Sequence, residues 1–197
     1  MPESWELAKL SEVLSITAGN AFKSDDFCDR GIQLIRLGNL FDRRLDLSRN
    51  PVFLPSGFLA KHPGFVVRPG DILFSMTGTM GKEDYGYAVV VPDEIEPTLL
   101  NQRVAKLTPR PNVLPGYLLH YLWSRLFLDQ IYSKAAGSKQ ANVSNKDIYA
   151  SVMPLPPLEE QRVIASRLDE LHRAQLCTSA TISGVGALLS ELTNSIT

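Results

Sequence analysis

Four stretches of the sequence combine glycine, hydroxyl or amide side chains and isolated basic residues. They are 19-GNAFKSD-25, 36-RLGN-39, 77-TGTMGK-82 and 137-GSKQANVSNK-146. Lysine and arginine neutralise phosphates, amide side chains pair with adenine edges and arginine pairs with guanine, while small residues let backbone N–H groups approach a ligand. The stretches are therefore typical of loops that contact nucleic acid, although ordinary surface loops have a similar composition.

No arrangement typical of a catalytic centre accompanies these loops. The stretch 50-NPVF-53 departs from the Asn-Pro-Pro-aromatic motif of adenine methyltransferases at its third residue, and no glycine-rich loop for a methyl donor precedes it. The stretch 78-GTMGKE-83 is not a P-loop, because Glu83 stands where Ser or Thr would bind magnesium. The three histidines and the distant Cys28 and Cys177 lack metal-ligand spacing. We expect no catalytic residue, no metal and no cofactor.

The composition is that of a globular chain from a reducing compartment. Its 197 residues, 44% of them hydrophobic, suffice for one domain with an appendage or for two small domains. Two widely separated cysteines do not form a disulfide framework. The N-terminal MPESWELAKL carries acids and lacks an apolar run, and no stretch has some 18 successive apolar residues. We therefore expect a cytoplasmic protein without a signal peptide or a membrane span.

Charge is distributed unevenly along the chain, whose formal net charge is −1. Residues 97–150 carry seven Lys and Arg but only two acidic residues, Asp129 and Asp147. The flanking segments, 1–96 and 151–197, have balances of −4 and −2. A basic block of this kind favours contact with phosphates, but it is also compatible with an ordinary solvated face.

Apolar patterning places the polar loops between strands and helices. Residues 5–18 indicate a strand or short helix, and 77–82 indicate a turn. A helix is predicted over 116–135, with Pro115 in its first turn and Gly137 just past its end. Ser144 and Asp147 have capping-box spacing, which predicts a short helix over 145–150. Strands or extended segments are predicted at 32–37, 72–76, 87–91, 104–109 and 152–157.

The last forty residues have a heptad pattern, with seam residues spaced alternately by four and three that are apolar except for Gln175 and Thr178 in the middle. At about 1.5 Å per residue, a helix over 158–196 is roughly 58 Å long, too long for a small domain to cover. We therefore expect a partner helix, against the alternative of a helix that bends or frays near Gly184 and Gly186. The seam consists of Ile164, Leu168, Leu171, Gln175, Thr178, Ile182, Val185, Leu189, Leu192 and Ile196.

The order of these motifs resembles one half of a type I restriction–modification specificity (S) subunit. The resemblance covers nearly the whole chain in the family's order, and its last two motifs are the most specific. The motifs are 9-KLSEV-13, 19-GNAF-22, 35-IRLGNL-40, 70-GDILFSMTGTMGK-82, 101-NQRV-104, 137-GSKQANVS-144 and 154-PLPPLEEQRVIASRLDEL-171.

The resemblance implies an α+β fold: a β-rich target recognition domain with helices over 1–154, then a long helix of coiled-coil type over 155–197 for dimerisation and spacing. In this family, each recognition domain reads one half of a bipartite site in double-stranded DNA. The helices dock methyltransferase (M) subunits, nuclease/translocase (R) subunits join that core, and the S subunit itself is not catalytic. Family members usually carry two halves in tandem, so a single half predicts a two-fold homodimer that reads a palindromic split site.

Nine loop residues are predicted to contact DNA. The lysines at 23, 82 and 139 are expected at phosphates, and the residues at 36, 39, 79 or 140 are expected to face bases. Two other hypotheses stay open: a helix-mediated assembly module without DNA recognition, and a methyltransferase fragment, which requires a methyl-donor loop. The nine residues are Lys23, Ser24, Arg36, Asn39, Thr77, Thr79, Lys82, Lys139 and Gln140.

Overall fold

The fold is α+β and ends in one long helix. The computed structural model describes residues 2–41, 43–79, 82–135 and 141–196, with side chains described in those ranges except at 134–135, 141 and 179–196. The helices are α1 (Leu10–Val13), α2 (Phe58–Lys61), α3 (Pro115–Trp123), α4 (Arg125–Ala135), α5 (Asn145–Tyr149) and α6 (Leu158–Ile196). The strands are β1 (Glu6–Lys9), β2 (Leu14–Ala18), β3 (Ile32–Ile35), β4 (Leu40–Phe41), β5 (Arg44–Leu45), β6 (Phe53–Leu54), β7 (Val66–Val67), β8 (Ile72–Ser75), β9 (Thr77–Gly78), β10 (Ala88–Val90), β11 (Thr98–Leu100), β12 (Val104–Pro109), β13 (Ala141–Asn142) and β14 (Val152–Leu155).

The central sheet is antiparallel, with the strand order β10-β8-β12-β2. Every residue of β8 is buried, as expected for an apolar strand covered on both faces. Its side chains alternate between two cores: Ile72 and Phe74 pack with α3 and α4, whereas Leu73 packs with Val89 and Val104 on the other face. The sheet therefore forms the middle layer of the domain.

A second sheet lies beyond the Leu73 face, with the order β6-β3-β11-β7. Its two central strands run parallel, with Leu34 opposite Leu99 and Ile35 opposite Leu100. Ile35 and Leu100 pack in the core shared with Leu73. The chain leaves β3 at residue 36 and β11 at residue 101. Because the two strands are parallel, the polar loops that follow them lie side by side at the carboxyl ends of the strands.

The predicted helix over 116–135 is wrong in one respect, because the structure contains two helices separated at Ser124. The backbone of Ser124 is extended (φ −79°, ψ 151°), and its hydroxyl donates to the Tyr121 carbonyl at 2.6 Å. Serine competes with the helical backbone in this way. The carbonyl of Ser124 then accepts from the N–H of Leu128, which starts α4. Gly137, predicted to follow the helix, lies outside the described residues.

Other sequence predictions match the structure more closely. Residues 5–18 contain both a strand and a short helix, and α5 forms with the predicted capping box between Ser144 and Asp147. The predicted turn at 77–82 begins instead with a short strand, because β9 pairs antiparallel with β13. Among the described residues, no helix combines the length and the hydrophobicity needed to cross a membrane.

The long helix α6 is continuous from Leu158 to Ile196, past both glycines. It begins beside the N-terminus, because β14 pairs antiparallel with β1. Ile164 packs against the main core, but further along the seam the exposed fraction reaches 37% at Leu168 and 66% at Leu171. The side chains of Ile182, Val185, Leu189, Leu192 and Ile196 lie outside the description. Pairing of the seam with another helix, and the division at residue 154, therefore stay predictions.

Candidate nucleic-acid interface

A polar cleft of about 540 Å³ opens where the loops after β3 and β11 meet. It lies between the 3-10 turn Leu37–Asn39, the turn at 49–50 and the loop at 101–103. The polar side chains around it belong to Ser24, Arg36, Asn39, Arg49, Asn50, Asn101, Gln102 and Arg103.

Three arginines give the cleft a positive potential. Arg36, Arg49 and Arg103 line it, and the described residues that line it include no Asp or Glu. The guanidinium of Arg49 lies 4.4 Å from the centre of the Phe41 ring, which restrains its orientation. Arginine presents five N–H donors in a planar fork, so a group of three arginines can bind phosphate oxygens or guanine edges.

Asn39 joins two walls of the cleft. Its Nδ2 donates to the carbonyls of Asp46 (3.0 Å) and Arg49 (2.9 Å), and its Oδ1 accepts from the N–H of Arg36 (2.8 Å). Asn39 is only 2% exposed. The amide of Asn39 is thus paired within the protein, and the expectation that Asn39 faces a base stays a prediction. Its place is to hold the segments that carry Arg36 and Arg49.

The third wall, at 101–103, is fixed by its backbone. The N–H of Asn101 donates to the Ile35 carbonyl, and that of Gln102 donates to the Asn20 carbonyl, both at 3.0 Å. Gly19 packs so closely here that a Cβ would lie 2.1 Å from the Asn101 carbonyl oxygen. Gln102 and Arg103 are exposed. Their backbone is therefore rigidly held while their side chains face the cleft.

A short ribbon formed by β9 and β13 adjoins this wall. The N–H of Met76 donates to the Arg103 carbonyl (3.0 Å), and the N–H of Val143 donates to the Met76 carbonyl (2.8 Å). Past the ribbon, the N–H of Thr79 donates to Asp84 at 2.6 Å. Hydrogen bonds from the side chain and backbone of Thr79 hold the pKa of Asp84 below its ordinary value. Two of the polar loops singled out in the sequence thus meet in space.

The structure separates the nine predicted contact residues into groups. Ser24 and Arg36 line the cleft with the buried Asn39, and Lys23 is exposed next to Ser24. Thr79 and Lys82 are exposed beyond the ribbon, whereas Thr77 is only 7% exposed. Lys139 and Gln140 lie outside the described residues. Contact of these residues with DNA stays a prediction.

Sequence reasoning missed five polar cleft residues: Arg49, Asn50, Asn101, Gln102 and Arg103. The stretch 101-NQR-103 was available as a signal, because it interrupts two apolar strands with three polar residues. Asn50 carries another, since its left-handed backbone (φ 46°) is a conformation in which asparagine is enriched. Neither signal indicated that the two loops converge.

The basic block at 97–150 is not a single surface among the described residues. Lys106 pairs with Asp71 at 3.4 Å, on the inside of the fold. Arg125 pairs with Glu83 and Asp129, both at 2.7 Å. Of the basic residues in this block whose side chains the structure describes, Arg103 alone lines the cleft. The described residues also contain no group of three or more His, Cys, Asp and Glu side chains arranged to hold a metal ion.

Comparison with known proteins identifies the family to which this architecture is similar. Residues 2–183 match the type I restriction modification DNA specificity domain. The MjaVIII specificity subunit of a type I restriction enzyme from Methanocaldococcus jannaschii is 30% identical over 174 residues, which are 87% of this chain and 40% of that protein.

Two solved structures of type I restriction–modification systems have a similar fold. The HsdS subunit from Thermoanaerobacter tengcongensis has a TM-score of 0.63 at 27% identity, over 88% of this chain and 38% of its own. A chain from a structure on assembly and conformational transition of the type I R-M system has a TM-score of 0.73 at 24% identity, over 98% of this chain and 44% of its own. This chain spans less than half the length of these relatives. It belongs to the type I restriction–modification DNA specificity domain family.

Proposed function

We propose that this chain is a non-catalytic DNA-reading unit of a type I restriction–modification specificity subunit. It binds double-stranded DNA at the arginine-lined cleft and reads one half of a bipartite target. The observation that carries the proposal is the convergence, in a member of this family, of Arg36, Arg49 and Arg103 with the amides of Asn50 and Gln102. Arginine suits phosphates and guanine, and amide side chains suit adenine.

The roles within the site follow from exposure and position. Arg36, Gln102 and Arg103 face base edges, because their backbones are held at the sheet edge while the side chains are exposed. Lys23 and Lys82 are exposed on either side of this group and contact phosphates. Phosphate contacts fix the position of a protein on the duplex, and base contacts read the sequence. The lysines therefore contribute mainly to affinity, and the cleft residues mainly to specificity.

The partners follow from the kind of relatives that the chain has. Those relatives are specificity subunits of type I restriction enzymes. We propose that this chain directs a methyltransferase (M) subunit and, through the complex, a nuclease/translocase (R) subunit. A second copy supplies the partner helix, since Leu168 and Leu171 of the seam are 37% and 66% exposed. A two-fold dimer of one recognition unit reads a palindromic split site.

The test begins with co-purification of the chain with a type I methyltransferase (M) subunit from the same genome, followed by mapping of methylated adenines. A split palindromic motif is the expected result, and its two halves supply the DNA for binding measurements. If the complex methylates without a sequence motif, or if no methyltransferase co-purifies, the proposal is wrong.

The cleft is tested by substituting Arg36→Ala together with Arg103→Ala. Each lost bidentate contact costs about 1–3 kcal/mol, so affinity for the mapped motif should fall at least tenfold. The control is Arg68→Ala with Arg110→Ala, which removes the same charge at the opposite end of the central strands, near residues 71 and 13. It should leave affinity nearly unchanged in anisotropy titrations. Equal losses in both double variants would mean that bulk charge, and not the cleft, binds DNA.

A further inference from the structure

Three side chains from three elements stack where the long helix leaves the domain. The guanidinium carbon of Arg43 lies 5.0 Å from the centre of the Trp123 ring. The rings of Trp123 and His172 have centroids 5.3 Å apart. Nη1 of Arg43 lies 3.5 Å from Nδ1 of His172. Arg43 belongs to the β4–β5 connection, Trp123 ends α3 and His172 is on α6.

The stack is fixed to the domain on one side. Nε1 of Trp123 donates to the Ala88 carbonyl at 2.8 Å, which attaches the ring to the edge of the central sheet. One turn earlier on α6, Oδ1 of Asp169 lies 2.7 Å from Nε2 of His120. Residues 173–178 are all exposed. Among the side chains of α6 that the structure describes, His172 is therefore the last that packs against the domain.

Arg43 has an unusual backbone for this position. Its φ of 59° lies in the left-handed region, which non-glycine residues seldom occupy and glycine enters without strain. Residues held in such conformations tend to be retained where their side chain serves a function. An arginine in place of glycine keeps the cation over Trp123, which points to a role for the side chain itself.

We propose that Arg43, Trp123 and His172 form a clamp that sets the angle at which the long helix leaves the domain, and thereby the spacing between the two half-sites that the protein reads. The spacing role rests on the proposed function above. The clamp itself does not, because it is a statement about the angle between α6 and the domain.

The length of the helix makes a small angle important. About 24 residues follow His172 to Ile196, a lever of about 36 Å. A tilt of about 10° moves the far end by about 6 Å, nearly two base-pair steps of about 3.4 Å. A contact at the base of the helix that fixes its angle therefore also fixes the position of its far end.

The connection that carries Arg43 also reaches the cleft. Phe41, at the end of β4, stacks on Arg49 of the cleft, and β4 pairs with β5 on the far side of the turn. The turn of this hairpin thus contacts one cleft arginine through Phe41 and the long helix through Arg43. Half-site geometry and helix angle are joined through a single element.

The angle is measured by pulsed electron spin resonance on the full chain. One nitroxide is placed on the native Cys177, beyond the clamp, and one on Ser56→Cys in the domain, with Cys28→Ser and spin dilution. Arg43→Ala with His172→Ala should broaden the distance distribution. The matched control, Arg173→Ala, removes an exposed arginine from the neighbouring helix position and should not. An unchanged distribution in the double variant overturns the clamp, whether or not the protein reads DNA.

The spacing is measured by mapping methylated adenines with the methyltransferase complex. In the Arg43→Ala variant, sites with spacers one base pair longer or shorter should become roughly tenfold more frequent relative to the main spacing, with half-site bases unchanged. Arg43→Lys retains a cation over the ring and should restore much of the preference. Unaltered spacing in Arg43→Ala, with a broadened spin-label distribution, overturns the spacing role. A wild-type complex without any motif overturns the proposed function, and the spin-label result alone then decides on the clamp.

Discussion

At the scale of single residues, the cleft depends on a buried amide whose partners all lie within the protein. Asn39 fills its two donor positions and its acceptor position with backbone groups from residues 36, 46 and 49. Each buried backbone group that loses its partner costs about 1–3 kcal/mol. The geometry of two cleft arginines therefore depends on one side chain behind them.

Replacing this amide tests that dependence. Asn39→Ala should lower the free energy of unfolding by about 2–3 kcal/mol, because two carbonyls and one N–H lose their partner. Gln102→Ala is the matched control: its amide is exposed in the same cleft, so stability should change by less than about 0.5 kcal/mol while base discrimination falls. Urea unfolding measures the first effect and DNA competition the second. A stable Asn39→Ala variant would contradict the supporting role.

The comparison of these two amides shows what a sequence can predict at this scale. Both follow an apolar strand; Arg36 precedes Asn39 by three residues and Arg103 follows Gln102 directly, so residue type and spacing indicate polar chemistry at both positions. What distinguishes them is burial, which arises from the segment 46–49 folding over Asn39. That closure is a tertiary event with no local signature. The polar role of Arg36 was therefore predictable, whereas the burial of the Asn39 side chain was not.

At the scale of elements, the first turn of the long helix is attached to the domain by one buried amide. Gln161 is fully buried; its Oε1 accepts from the N–H of Leu114 (2.9 Å), and its Nε2 donates to the carbonyls of Asn112 (3.0 Å) and Pro156 (2.8 Å). Nearby, Nε1 of Trp5 donates to Glu160 at 2.7 Å. The helix start is thus fixed both to the loop before α3 and to the N-terminus.

The substitution Gln161→Leu tests this attachment. Leucine has a similar size but leaves one N–H and two carbonyls without partners, so the free energy of unfolding should fall by about 3 kcal/mol. Arg162→Ala is the control, because the neighbouring side chain is exposed and pairs with the exposed Glu159; it should change stability by less than about 0.5 kcal/mol. Urea denaturation followed by circular dichroism compares the two. Equal stability of both variants would show that the amide does not anchor the helix.

Helices were predictable from periodicity where nothing local competed with it. The long helix follows its heptad pattern to the residue bounds expected, since glutamates in its first turn favour the start. The helix predicted over 116–135 is divided, because the hydroxyl of Ser124 donates to the Tyr121 carbonyl, an interaction that apolar spacing does not reveal. The pairing of β9 with β13 was equally hidden, because two-residue strands carry too little pattern to be recognised.

At the scale of the whole molecule, the site exists only after folding. The three cleft arginines come from positions 36, 49 and 103, whereas the block richest in basic residues contributes one of them. The parallel pairing of β3 with β11 brings two of the segments together, and such pairing is non-local. The distribution of charge along the chain therefore favoured contact with phosphates, but it did not predict where the cleft lies. The exposed heptad seam, in contrast, is readable in sequence because it lies on a single element.

The seam gives the prediction that concerns the assembled molecule. Leu171 is 66% exposed, so the domain has little need of it, but a two-fold dimer would bury both copies. Burying one leucine contributes about 1.5–3 kcal/mol, so Leu171→Glu should weaken dimerisation at least a hundredfold without lowering the melting temperature of the domain. The matched control is Leu176→Glu, because Leu176 is 54% exposed on the same helix but off the seam. Sedimentation equilibrium distinguishes them: a wild-type monomer at tens of micromolar, or equal dissociation of both variants, would mean that the seam pairs with something other than a second copy.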